Sequence, residues 1–103
     1  MEVSVRSHGP DPGLDFRDFA AAKVSALAHH FAPITSAEVE FATDLKRRPH
    51  PVHVAKITLH LTGHRLPDLR AHAEGSDARV AFDLALVKLD AELVRLKEQV
   101  ESH

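Results

Sequence analysis

A chain of 103 residues, 44% apolar and 27% charged, has the size and composition of one globular domain, and positions 1–103 are read as a single unit with one hydrophobic core. No apolar run nears the roughly 18 residues of a membrane span, and the start Met1-Glu2-Val3-Ser4-Val5-Arg6 lacks the basic residues and long apolar stretch of a signal peptide. The absence of cysteine excludes disulfides and thiolate zinc sites and makes the reducing cytoplasm the expected compartment, while a net charge of −2 runs against the strongly basic footprint of a simple nucleic-acid binder.

Glu2 to Arg6 alternate, with Val3 and Val5 on one side, and predict a half-buried first strand. His8-Gly9-Pro10-Asp11-Pro12-Gly13 reads as a loop. Asp15 is a candidate cap for a first helix, because a carboxylate accepts the free amide protons of a first turn. Phe16, Phe19, Ala20, Val24, Leu27 and Phe31 form its apolar stripe, and Pro33 is expected to stop it. Ser36 to Asp44 predicts a second strand, with Val39 and Phe41 alternating against Glu38 and Glu40. Lys46-Arg47-Arg48-Pro49-His50-Pro51 is a basic, proline-broken loop. Val52 to Leu61 predicts a third strand, with Ile57, Leu59 and Leu61 inward and Lys56, Thr58 and His60 outward. Thr62-Gly63-His64-Arg65 reads as a hairpin bend, and a fourth strand is expected over about Asp68 to Glu74. Gly75-Ser76-Asp77 opens a last helix capped by Ser76 or Asp77, whose stripe is Phe82, Leu86, Leu89, Leu93, Leu96 and Val100.

One apolar side per strand and one stripe per helix predict an α+β fold, a two-layer α/β sandwich. Its order is β-α-β-β-β-α, with a four-stranded mixed sheet and two parallel helices on one face. The first two strands are joined by a right-handed crossover and should be parallel; the later ones should be antiparallel. The opposite sheet face, with Glu38, Lys56, His60, Arg70 and others, reads as solvated. With no Trp or Tyr and only five Phe, the core is expected to be aliphatic.

The nine histidines raise a metal or pH-sensing alternative, as their charge changes near pH ~6.5. They show none of the helical spacings or carboxylate-flanked sets of zinc sites, so solvated or structural histidine is the expected reading, with no metal or other cofactor. No serine elbow and no glycine-rich phosphate loop is present, which leaves no support for an enzyme or a small-molecule substrate. Two neighbouring helices carrying Arg17, Lys23, Arg79, Lys88, Arg95 and Lys97 could instead form a phosphate-contacting surface, with Arg79 and Lys97 on a flank shared with Asp83 and Asp90. Against it, the two helical segments hold six Lys or Arg and eight Asp or Glu, a balance equally suited to a solvated face.

The segment Arg70-Ala71-His72-Ala73-Glu74-Gly75-Ser76-Asp77, followed by Ala81-Phe82-Asp83 and Lys88-Leu89, resembles the signature of the ribosome hibernation-promoting factor and ribosome-associated inhibitor family. Arg17-Asp18-Phe19, Ala22-Lys23 and the element order extend the resemblance along essentially the whole chain. It implies a non-enzymatic, cytoplasmic protein that binds rRNA of the small ribosomal subunit through basic side chains of two helices and silences translation in stationary phase or stress. It implies the length of the family's short members, without an inhibitory tail or ribosome-dimerising domain. Carried over residue by residue, the RNA-binding set is Arg17, Lys23, Lys88, Arg95 and Lys97. Where the family has further basic residues this chain has Ala26, Ala91 and Glu92, beside Asp90, and each lost phosphate contact lowers affinity. The alternative expectation is a diverged relative of the same fold that binds a protein, as a homodimer through the sheet edge or the apolar helix margins.

Overall fold

In the computed structural model, which describes residues 2–9, 11–29, 34–62 and 67–101, the elements are β1 (Glu2–His8), α1 (Leu14–Ala28), β2 (Ile34–Asp44), β3 (Val52–Leu61), β4 (Leu69–Gly75) and α2 (Ala78–Glu101). The strands form one sheet in the order β1-β2-β3-β4. β1 and β2 pair in parallel, and the other two pairings are antiparallel. β1, β2 and β4 therefore run the same way. Each helix reverses the strand before it, so α1 and α2 run parallel to one another, as the sequence pattern anticipates.

Period-two alternation places Ala37, Val39 and Phe41 of β2, Ala55, Ile57 and Leu59 of β3, and Leu69, Ala71 and Ala73 of β4 on one face. Ala20, Val24 and Ala28 of α1 and Phe82, Ala85, Leu89, Leu93 and Leu96 of α2 pack on that face, with Val3 and Val5 of β1 half-buried at its edge. The core is not purely aliphatic. Phe16, Phe19, Phe41 and Phe82 form a cluster with ring centroids 5.2–6.2 Å apart, mostly edge to face. It ties both helices to β2, and such contacts add about 0.5–1.5 kcal/mol each beyond area burial.

Several boundaries differ from the sequence expectation for local reasons. α1 has Gly13 at its N-cap, with φ +100° and no side-chain cap. Asp11 accepts from the Gly13 amide at 2.9 Å, so the loop carboxylate organises the start of the helix and Asp15 lies within its first turn. β1 runs on to His8, and β2 begins at Ile34 before a register irregularity ahead of Ser36. Thr58 lies on the sheet face away from the helices, between Glu38 and Arg70 on the neighbouring strands, and is buried. Around it Lys56, Arg70, His72 and Glu74 are exposed, so the face is solvated apart from Thr58 beneath its longer neighbours. Phe31, Pro33 and most of the 62–65 bend lie outside the described residues.

At the start of α2 the expectation holds. The Val80 amide donates to Asp77 Oδ1 at 2.8 Å, so Asp77 is the side-chain cap. Gly75 closes β4 so tightly that a Cβ there would sit 2.6 Å from the Ala81 amide nitrogen. Only glycine permits that approach without a shift.

Candidate nucleic-acid interface

Residues seven apart on a helix nearly line up, so α2 presents two flanks beside its buried stripe. One faces α1. Arg79 lies on this flank, its guanidinium 4.2 Å from the centre of the Phe19 ring, and Asp83 accepts from its Nε at 3.2 Å. Leu86, Val87 and Asp90 of α2 line a groove with Lys23, Ala26 and Leu27 of α1. Lys97, seven residues beyond Asp90, continues the flank. Lys23 Nζ also lies 5.6 Å from the centre of the Phe19 ring, so one aromatic ring attracts a cation from each helix.

The other flank faces the sheet edge. Lys88 Nζ donates to the His72 carbonyl on β4 at 3.0 Å, and Arg95 pairs with Glu92 at 3.5 Å. Arg17 lies on the far side of the layer. It donates to the Val5 carbonyl of β1 and pairs with Asp11 at 3.6 Å. The structure therefore does not gather the five sequence-predicted cations into one patch. Lys23 and Lys97 belong to the margin between the helices, Lys88 and Arg95 to the β4 flank, and Arg17 to the β1 edge.

Along the margin between the helices the charges are mixed: Arg79 and Lys97 of α2 bracket Asp83 and Asp90, with Lys23 across the groove. No unbroken acidic strip results. Arg79 is a functional candidate outside the five carried over from the family resemblance. Its spacing to Asp83 reads as an ordinary intrahelical pair, and nothing linear announces that Phe19 of another helix will lie beneath it.

A second basic feature sits at the β2–β3 connection. Arg47, Arg48 and His50 are exposed around a cleft they share with Glu74, Gly75 and Ser76, with Lys46 exposed just before them, and Arg47 pairs with Glu74 at 3.0 Å. On the sheet face away from the helices, the His60 ring bridges two carboxylates, Glu38 at 3.1 Å through Nε2 and Asp68 at 3.0 Å through Nδ1. Arg6 joins Glu38 from β1 at 3.6 Å. The hydrogen bond to Glu38 and the charge of Asp68 raise the His60 pKa above its ordinary 6.5, against an opposing desolvation cost. The two carboxylates take opposite nitrogens of the ring, an arrangement that fixes the side chain between β2 and the residue just before β4 and does not converge on a metal. No helix among the described residues is long and apolar enough to cross a membrane.

Residues 3–101 match the family described as sigma 54 modulation protein / S30EA ribosomal protein. Over 100 residues, 96% of this chain and 85% of the relative, the sequence is 34% identical to a ribosome hibernation promoting factor of Azotobacter vinelandii. It is 26% identical to one of Salmonella typhimurium over the full length of both chains. The fold is similar to the N-terminal domain of Thermus thermophilus Protein Y, with TM-score 0.74, 21% identity and coverage of 93% and 99%. It is equally similar to a ribosomal subunit interface protein from Coxiella burnetii, with TM-score 0.73, 19% identity and coverage of 95% and 99%.

Proposed function

Because the chain belongs to the sigma 54 modulation protein / S30EA ribosomal protein family, we propose that it is a ribosome hibernation factor that occupies the small subunit by gripping rRNA phosphates with cations of its helical layer. Membership makes it a ribosome-associated binding protein and not an enzyme. Its place of action is the cytoplasm, where ribosomes are, and its effect is to keep messenger and transfer RNA out by occupancy.

The observation that carries the reading is the pair of cations brought to one ring. Lys23 and Arg79, from different helices, both lie over the Phe19 ring. Lys97 extends that line, and Lys88 and Arg95 flank it on the β4 side. Phosphate contacts of this kind position a protein on RNA without reading its sequence. Arg17 serves chiefly to fasten α1 to β1, because its guanidinium is already engaged by Val5 and Asp11. The acidic neighbours Asp83 and Asp90 weaken the grip and confine it to sites of high phosphate density.

Co-sedimentation with purified small subunits tests the assignment. The chain should pellet with them, and the double change Lys88→Glu, Arg95→Glu should abolish pelleting while the circular dichroism spectrum is unchanged. Failure of the unmodified chain to pellet, or pelleting indifferent to the double change, would reject this surface.

A further inference from the structure

α2 carries a second apolar stripe that the core does not use. Val80, Leu84, Val87 and Val94 are 40%, 47%, 68% and 48% exposed, and Ala91 between them is exposed as well. Isolated exposed aliphatic side chains are ordinary. These five recur at steps of four, three, four and three, the seam spacing of paired helices, over about 21 Å of helix. Glu98 ends the seam.

The charges beside the seam are arranged with equal regularity. Asp83 and Asp90 lie on its α1 side, and Lys88 and Arg95 lie on its β4 side. Each cation follows an acid of the opposite flank by five residues, 83 to 88 and 90 to 95. When two helices pack in parallel and in register along such a seam, the flanking positions that meet across it are separated by that interval. Antiparallel packing would set acid flank against acid flank and basic against basic, with Asp83 near Asp90 and Lys88 near Lys88 of the other copy.

We infer that the chain forms a parallel, two-fold symmetric homodimer through the outer face of α2. The seam is Val80, Leu84, Val87, Ala91 and Val94, and the interchain ion pairs are Asp83–Lys88 and Asp90–Arg95, each occurring twice by symmetry. Complementary flanks of this kind set partner and orientation. The dimer occupies Lys88 and Arg95, so the dimeric and the RNA-gripping states exclude each other. The inference itself concerns the isolated chain and stands apart from the ribosome assignment.

Sedimentation equilibrium of the full chain should show twice the 11.3 kDa chain mass at high concentration, dissociating on dilution. Val87→Asp, at the most exposed seam position, should return it to a single chain. Asp90→Lys should weaken association about tenfold and Asp90→Lys with Arg95→Asp should recover most of it, because the swapped pair is re-formed. The chain has no cysteine, so orientation can be read directly. Val80→Cys alone and Val94→Cys alone should each form a disulfide-linked dimer with its own kind under mild oxidation. A single-chain mass persisting to about 1 mM, a dimer indifferent to Asp90→Lys, or cross-linking only when the two cysteine variants are mixed would each overturn the inference.

Discussion

The Lys88 ammonium, on the outer flank of α2, donates to the backbone carbonyl of His72 on the edge strand β4 at 3.0 Å. The bond fastens the last helix to the open border of the sheet. A lysine head placed there also makes the border a poor template for another strand. Arg17 does the corresponding work at the other border through the Val5 carbonyl of β1. Because the Lys88 bond is exposed, Lys88→Ala should cost no more than about 1 kcal/mol in urea unfolding. A loss of several kcal/mol would make Lys88 an architectural residue in place of a polyanion contact.

Gly75→Ala should be far more damaging than its size suggests. The added methyl would meet the Ala81 amide nitrogen at 2.6 Å and the Val80 backbone carbon at 3.0 Å, and neither can rotate away. Forced overpacking of this kind costs about 1–3 kcal/mol. The urea midpoint should fall with little change in slope. An unchanged midpoint would show that the β4–α2 corner yields easily.

Asp77→Ala removes the oxygen that accepts the Val80 amide at 2.8 Å. A loss of about 1 kcal/mol is expected. Asp77→Asn, which keeps an acceptor in place, should recover most of it. Equal losses for the two variants would point to charge at the helix start as the dominant effect.

The element order, the sheet pairing and the cap at Asp77 were all legible in the sequence because each rests on local chemistry: alternation in β2 and β3, a 4-3-4 stripe on α2, a carboxylate three residues before Val80. The start of α1 was not, since Asp15 was the expected cap and the N-cap is instead Gly13, whose positive φ no linear pattern announces. The basic residues were found, but their distribution was not. Which flank of α2 turns to α1 and which to β4 depends on packing over Phe82 and Leu89, and that assigns Lys97 and Lys88 to different sides. The outer seam escaped notice for a related reason. The longer stripe through Phe82 and Leu89 already accounts for the core, and Val80, Leu84 and Val87 then read singly as ordinary exposed aliphatic side chains until their exposure is seen together.

His60 should make stability fall as the solution becomes more alkaline. Its proton is held more tightly in the folded chain than in the unfolded one, so its folded pKa lies above 6.5. The contribution is complete below about 6.5, where both states are protonated, and is lost as pH rises through the folded value. The difference in unfolding free energy between the unmodified chain and His60→Gln should therefore shrink across that window. Glu38→Gln should lower the pKa seen by NMR, as Glu38 is the largest cause of the shift. A difference that is flat with pH, or a titration at or below 6.5, would contradict the bridging geometry.

The central claim, an electrostatic grip on small-subunit rRNA by cations of the helical layer, is tested most directly by small-subunit affinity across a salt series. Five phosphate contacts from Lys23, Arg79, Lys88, Arg95 and Lys97 should give a plot of log affinity against log salt with a slope of about −4. Changing Lys23 and Lys97 to alanine should flatten that slope by about 1.5. Affinity that does not change with salt, or a slope the double change leaves untouched, would contradict it.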